Sequence, residues 1–181
     1  VERSRGLGDV YKRQGLNYQG FGAYGLKTNP ATMGITLQVD FTSATTTFAQ
    51  ADAEFNRIMT MLRSGGNRVG ANFNVYISAE IEARWRARSG AQTIDRTWLE
   101  IFRETPGVGK VEVSELLVGN EIAGFVPNAA YIQPLIGQAV GTTPVARTAP
   151  FADFQFITWS ASGLQIKADA DGRTGVFYAA S

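Results

Sequence analysis

Apolar residues recur at helical spacing between residues 45 and 66, the most regular stretch of the chain. Phe48, Ala51, Phe55, Ile58, Met59 and Leu62 fall at i, i+3, i+7, i+10, i+11 and i+14, one stripe of an amphipathic helix. Ser43, Thr45, Thr46 or Thr47 can cap it, and Gly65-Gly66 can stop it. Asp52 and Glu54 sit towards its start and Arg57 and Arg63 towards its end, as the helix dipole prefers. Each large side chain of the stripe gains roughly 1.5–3 kcal/mol on burial, so this helix needs a sheet to lie on.

Around it the period changes to two. Ile35, Leu37 and Val39 alternate with polar residues as in a short, edge-like strand, and 73–77 reads as a compact buried strand. Ser78 caps a second expected helix, 78–89, with Ile81 and Trp85 on its inner face. Glu80 and Glu82 point apart there and suit pairing with Arg84 and Arg86 at i+4. A third helix is expected over 92–104, capped by Thr93 or Asp95, with Trp98, Leu99, Ile101 and Phe102 apolar and Pro106-Gly107 at its end. Strands are expected at 109–113, 116–118 and 122–126, the last two split by a Gly119-Asn120 turn, followed by a turn or short helix through Tyr131.

Residues 137–150 are small and proline-containing, with Arg147 the one charge; they suit an extended segment wrapping a neighbour or its own domain. The chain then predicts three antiparallel strands: 154–161, with large groups on both parities; 164–168, alternating; and 176–179, after an Asp171-Gly172 turn. The last strand is expected to be pinned into a sheet. The class is α+β. These three strands carry apolar groups on more faces than a self-contained sheet of this length needs, which predicts association through them.

Composition narrows the chemistry. A chain of 181 residues, 44% hydrophobic and 18% charged, suits one domain with a sizeable core. It has no Cys and no His, which removes thiol nucleophiles, histidine bases, Cys/His zinc sites and disulfides. The net charge is +1; Arg3, Arg5, Lys12 and Arg13 lie in residues 1–14 against Glu2 and Asp9, so 13 of 17 basic and 14 of 16 acidic residues remain beyond them. Such a balance argues against a dedicated nucleic-acid surface. No apolar run approaches the ~20 residues of a membrane helix, and no secretory h-region follows the charged start.

Gly20-x-Gly22-x-x-Gly25 matches a dinucleotide fingerprint only literally, because Lys27-Thr28-Asn29-Pro30 stands where the helix should begin. Asp169-x-Asp171-Gly172 lacks two ligands of a calcium loop, with Lys167 and Tyr178 in their places, and reads as a hairpin turn. No catalytic, cofactor-binding or metal-binding residue is proposed. Arg84, Arg86 and Arg88, with Arg147 elsewhere, are candidate subunit-interface residues; the first three could instead face phosphate or simply solvent.

GLQIKADADGRTGVFYAAS, with the upstream GNEIAGFVPNAAYIQPLIG, resembles the C-terminal half of a tailed-phage major capsid protein. The likeness is to a family formerly catalogued as a domain of unknown function and similar to the Hong Kong 97 type of shell protein. Tyr24-Gly25-Leu26 before Asn29-Pro30 is similar to the segment where such chains pass between domains, although Lys27 and Thr28 depart from the apolar residues expected there. The resemblance implies a Hong Kong-97-like fold: an axial domain plus the returning strands of the peripheral domain. The N-terminal arm, extended loop and spine helix would be missing. It further implies a non-enzymatic, cofactor-free subunit that self-assembles into pentamers and hexamers around double-stranded DNA. Portal and scaffold proteins would be its partners and DNA contact would be weak. The locations implied are the virion and, during assembly, the host cytoplasm.

Residues 1–14 resemble translated sequencing-adaptor read-through, the alternative being a basic arm that contacts a partner; residues 15–181 would then be the C-terminal part of the capsid subunit. An encapsulin-type compartment shell, a non-enzymatic α+β binding module and a carboxylate enzyme are the other readings.

Overall fold

Thr47 begins the longest helix by closing a complete capping box: its hydroxyl accepts the Gln50 N–H at 3.4 Å while Gln50 Oε1 accepts the Thr47 N–H at 2.9 Å. The computed structural model describes residues 16–18, 21–64, 66–86, 96–147, 149, 151 and 153–181. The expected leader, residues 1–14, lies outside them, as do Arg88, the candidate caps Thr93 and Asp95, and Gly65.

In chain order the elements are β1 (Leu16–Tyr18), β2 (Phe21–Ala23), β3 (Met33–Thr36), α1 (Phe48–Arg63), β4 (Phe73–Ile77), α2 (Ala79–Trp85) and α3 (Trp98–Arg103). After these come β5 (Val108–Val113), β6 (Glu121–Phe125), β7 (Ile132–Pro144), β8 (Phe156–Ile166) and β9 (Val176–Ala180). Five strands form the central sheet in the order β3-β9-β6-β4-β5. β9 runs parallel to β3 and antiparallel to β6, β6 antiparallel to β4, and β4 parallel to β5. β1 and β2 form a small antiparallel pair, and β7 and β8 a long two-stranded ribbon.

One face of the central sheet carries the core. Ala51, Phe55, Ile58, Met59 and Leu62 of α1 are buried as the stripe requires, with Phe48 partly covered at the helix start. Trp85 of α2 is fully buried among aromatic rings, with centroids 4.4 Å from Phe102, 5.4 Å from Phe41 and 5.7 Å from Phe55. Phe73, Val75 and Ile77 of β4 and Phe177 and Ala179 of β9 supply the sheet side. Gly124 of β6 lies where a β-carbon would overlap the Phe177 ring, so the absence of a side chain lets that ring lie flat on the sheet.

Several expectations shift. α1 ends at Arg63, with Ser64 as its C-cap, whose backbone N–H and hydroxyl both donate to Thr60 O, directly before the Gly65-Gly66 pair. α3 starts at Trp98 because Thr97 and Glu100 form their own capping box. Residues 116–118 are turn and irregular loop, not strand, and Gly119, at φ +62, leads into β6.

The largest difference is at the end of the chain. Segments 154–161 and 164–168 do not form separate strands: β8 runs unbroken through Gly163, because the long β7 pairs with it from Ile132↔Ile166 to Pro144↔Phe156. The linker-like 137–150 is thus largely strand. Pro134 and Pro144 are tolerated there because β7 has only one hydrogen-bonded edge. The final strand joins a different sheet, inserted between β3 and β6. The expected turn is present, with Gly172 at φ +77 and Asp169 Oδ1 accepting the Asp171 and Arg173 N–H groups at 3.0 and 2.7 Å.

Candidate assembly surface

Among the described residues, the β7–β8 ribbon is held at its base. There Ile166 is buried, Gln133 Nε2 donates to Gln165 Oε1 at 2.9 Å, and Lys167 Nζ donates to Ala129 O and Gln133 Oε1, each at 2.9 Å. Further out, strand alternation places Phe156 and Thr158 on one face and Ile157 and Trp159 on the other. Both faces stay uncovered: Ile136, Val140, Phe154, Phe156 and Ile157 are all exposed. Local contacts keep the ribbon in shape. Trp159 lies against Gly141 and donates Nε1–H to Thr143 Oγ1 at 3.2 Å, and the Thr142 and Thr158 hydroxyls meet at 3.1 Å. At the tip the Arg147 guanidinium sits 3.4 Å from the centre of the Phe154 ring, and Phe151 is 99% exposed. Across residues 132–166 only Arg147 and Asp153 carry charge, so little opposes a second apolar surface.

A second apolar feature lies on the sheet face opposite α1. Tyr76 and Phe125 stack there with centroids 5.4 Å apart, beside Tyr178. With Leu116, Ile132 and Leu164 they line an open cavity of about 300 Å³. Among the described residues that line it, the charged one is Lys27, whose Nζ lies 2.7 Å from Glu121 Oε1 and 4.7 Å from the centre of the Tyr178 ring. The Glu121 hydrogen bond, followed by Tyr178, holds the Lys27 pKa above its ordinary value. Burial pushes Glu121 upwards, but the hydrogen bonds from Lys27 and the Val118 N–H, with the nearby Tyr178 hydroxyl, outweigh it and leave the carboxyl below its ordinary value. Burial, then Glu121, raises Tyr178. Lys27 and Glu121 are 94 residues apart, and no spacing rule could have paired them.

The candidate arginines separate. Arg84 turns away from Glu80 and donates to the carbonyls of Ser43, Ala44 and Thr46 at 3.3, 3.2 and 3.0 Å, its guanidinium 4.8 Å from the centre of the Trp98 ring. It ties the loop before α1 to α2. Arg86 pairs with Glu82 at 2.8 Å, as the i+4 spacing suggests, and is exposed. Arg147 belongs to the ribbon tip, a different element altogether.

One buried charge escaped sequence reasoning. Glu54, on the inner half of α1, accepts from Arg57 at 2.6 Å and from the Gln38 N–H at 2.9 Å, while Arg57 Nη2 donates to Thr36 O at 2.9 Å. The Arg57 hydrogen bond, against the opposing effect of burial, leaves the Glu54 carboxyl below its ordinary range. This pair ties α1 to the β3 edge. Among the described residues, no three His, Cys, Asp or Glu side chains converge to hold a metal ion.

The model of a family described as being of unknown function (DUF6260) matches residues 8–179. No curated protein matches the sequence. Solved structures do match the fold. The capsid of Myoviridae phage XM1 has a TM-score of 0.66 at 12% identity, covering 90% of this chain and 57% of its own. A virus-like particle from Pyrococcus furiosus has a TM-score of 0.60 at 14% identity, covering 85% and 58%. A chain of Mycobacterium phage Che8 has 0.50 at 17%, covering 82% and 54%. The fold is therefore that of Hong Kong 97-type capsid proteins, as the resemblance implied, and none of these matches indicates an enzyme family. The chain spans little more than half the length of each of these neighbours.

Proposed function

The chain belongs to the family of unknown function DUF6260, and from that membership and its capsid fold we propose that it is a shell-forming structural subunit of a phage head. The observation that carries this reading is the ribbon, which holds apolar side chains out on both faces where the single chain covers neither. An isolated two-stranded ribbon is marginal in water, so one of this length suits a position between neighbouring subunits. Each large side chain covered there gains about 1.5–3 kcal/mol, and symmetry multiplies modest contacts into a closed particle. Pentamers and hexamers around double-stranded DNA are the assembly proposed, in the virion and before that in the host cytoplasm, with portal and scaffold proteins as partners. A near-neutral chain suits weak contact with packaged DNA.

Likeness to a virus-like particle supports a second reading, an encapsulin-type compartment shell with an enzyme as cargo. Neighbouring genes separate the two: portal and terminase genes fit a phage head, and a cargo enzyme fits a compartment.

Light scattering and negative-stain microscopy test the shell reading, on this chain and on any longer reading frame that contains it. Closed particles or ring-shaped capsomers are expected. A strictly monomeric protein in every form, at all concentrations, would refute it.

A further inference from the structure

Asn67 and Thr174 clasp two loops that lie 107 residues apart in the chain. The Asn67 side chain donates to Thr174 O at 3.0 Å and accepts the Thr174 N–H at 2.9 Å, and both residues are buried. An arginine adjoins each half of the clasp, Arg68 on one loop and Arg173 on the other. An antiparallel bridge between Ala168 and Thr174 brings Lys167 to the same place. The three cations line one open recess of about 450 Å³, together with Asp169. Their charges are only partly matched. Asp171 and Asp169 lie 2.9 and 3.8 Å from the Arg173 guanidinium, and Asp169 also accepts two backbone N–H groups of its own turn. Lys167 Nζ donates to two neutral oxygens, Ala129 O and Gln133 Oε1, and an ammonium has a third N–H to give. Three positive charges against two carboxylates leave an excess of one.

The backbone singles out Arg68. Its φ is +49, in the left-handed region that favours glycine, and among the described residues no other non-glycine residue has a positive φ. Gly66 and Gly70 stand two residues to either side, yet the left-handed position itself carries a guanidinium. Strain of this kind persists where the surroundings hold the residue, and here it keeps a cation at the recess. We propose that the recess is an anion site that takes one phosphate group, with Arg68, Lys167 and Arg173 as its donors. Like charges fixed around one clasp repel each other until an anion lies among them, and a phosphate presents acceptor oxygens to all three. The phosphate is either free or part of a nucleic-acid backbone. A site for a single group suits a chain of near-neutral charge, which has no large basic excess to spread over a wider surface. The site is built within one chain and does not depend on the shell reading.

Arg68→Gly tests the site without disturbing the fold, because glycine adopts φ +49 freely. Hydrogen–deuterium exchange reads the chain whether it is free or assembled, and inorganic phosphate is titrated in place of chloride at constant ionic strength. Saturable slowing of exchange is expected in segments 66–70 and 167–174. In Arg68→Gly the dissociation constant should rise about tenfold, while the melting temperature without phosphate stays level or rises. No saturable slowing, slowing confined to other segments, or unchanged affinity in Arg68→Gly would overturn the site. A short DNA duplex as a second titrant identifies the source. A backbone phosphate is indicated if the duplex protects the same segments and Arg68→Gly reduces the salt slope of its binding by about one. Protection by inorganic phosphate alone indicates a free ion. Particle formation in the same samples bears on the shell alone, so either reading can fail without the other.

Discussion

Removing the Phe55 ring is the sharpest probe of the core. Phe55 is 1% exposed, its centroid 4.8 Å from Phe102 and 5.7 Å from Trp85, so it joins α1 to both shorter helices. Phe→Ala in a core costs about 3–5 kcal/mol, the larger values arising where the walls cannot collapse. Here the walls are three helices held by separate caps at Thr47, Ser78 and Thr97, and a flat sheet opposite, so the upper half of that range applies. Part of the loss is the two aromatic contacts, each worth about 0.5–1.5 kcal/mol beyond area. Urea unfolding followed by tryptophan fluorescence reads the change. With a slope of about 2.5 kcal/mol/M, a loss of about 4 kcal/mol lowers the midpoint by about 1.6 M. Phe156→Ala, on the exposed ribbon, is the control and should move it by less than about 0.5 kcal/mol. A Phe55→Ala loss under about 1 kcal/mol would refute the packing of α1 on α2 and α3.

Three further outcomes are expected. Glu54→Gln should cost about 1–3 kcal/mol at neutral pH, since the Arg57 guanidinium loses its buried partner. Because the native Glu54 pKa lies below its ordinary value of 4.5, the unfolded chain binds the proton first as pH falls. The pair's stabilisation, complete above that value, is lost as pH drops through the native pKa, and a urea series down to pH 3 should show a flatter acid limb in the variant. Gly124→Ala should destabilise by about 1–3 kcal/mol, because the new methyl meets the Phe177 ring and lies 2.9 Å from Asn74 O; a neutral result in thermal melts would mean the sheet relaxes there. Asn67→Ala removes hydrogen bonds to Leu62 O, Thr174 O and the Thr174 N–H, all buried. It should cost about 1–3 kcal/mol and speed amide exchange at Thr174, and unchanged exchange would contradict that clasp.

The sequence by itself determined what depends on residues a few positions apart. The α1 stripe, the Ser78 cap, the Glu82–Arg86 pair and the Asp169–Gly172 turn are all readable because their hydrogen bonds and contacts close within about four residues. The family resemblance also lay in short runs of residues, and with it the capsid fold. Tertiary structure decided what depends on distant partners. Whether 154–168 is one strand or two turned on the length of β7, which supplies a continuous ladder past Gly163. The final strand lies between β3 and β6 because both offer it backbone partners, and alternation along 176–180 says nothing about which neighbours those are. From sequence Glu54 is an acid towards the helix start, and only the tertiary structure encloses it with the Gln38 N–H and Arg57. The aromatic cavity beside the Lys27–Glu121 pair exists only because the sheet brings together segments almost a hundred residues apart, and no local pattern records that meeting.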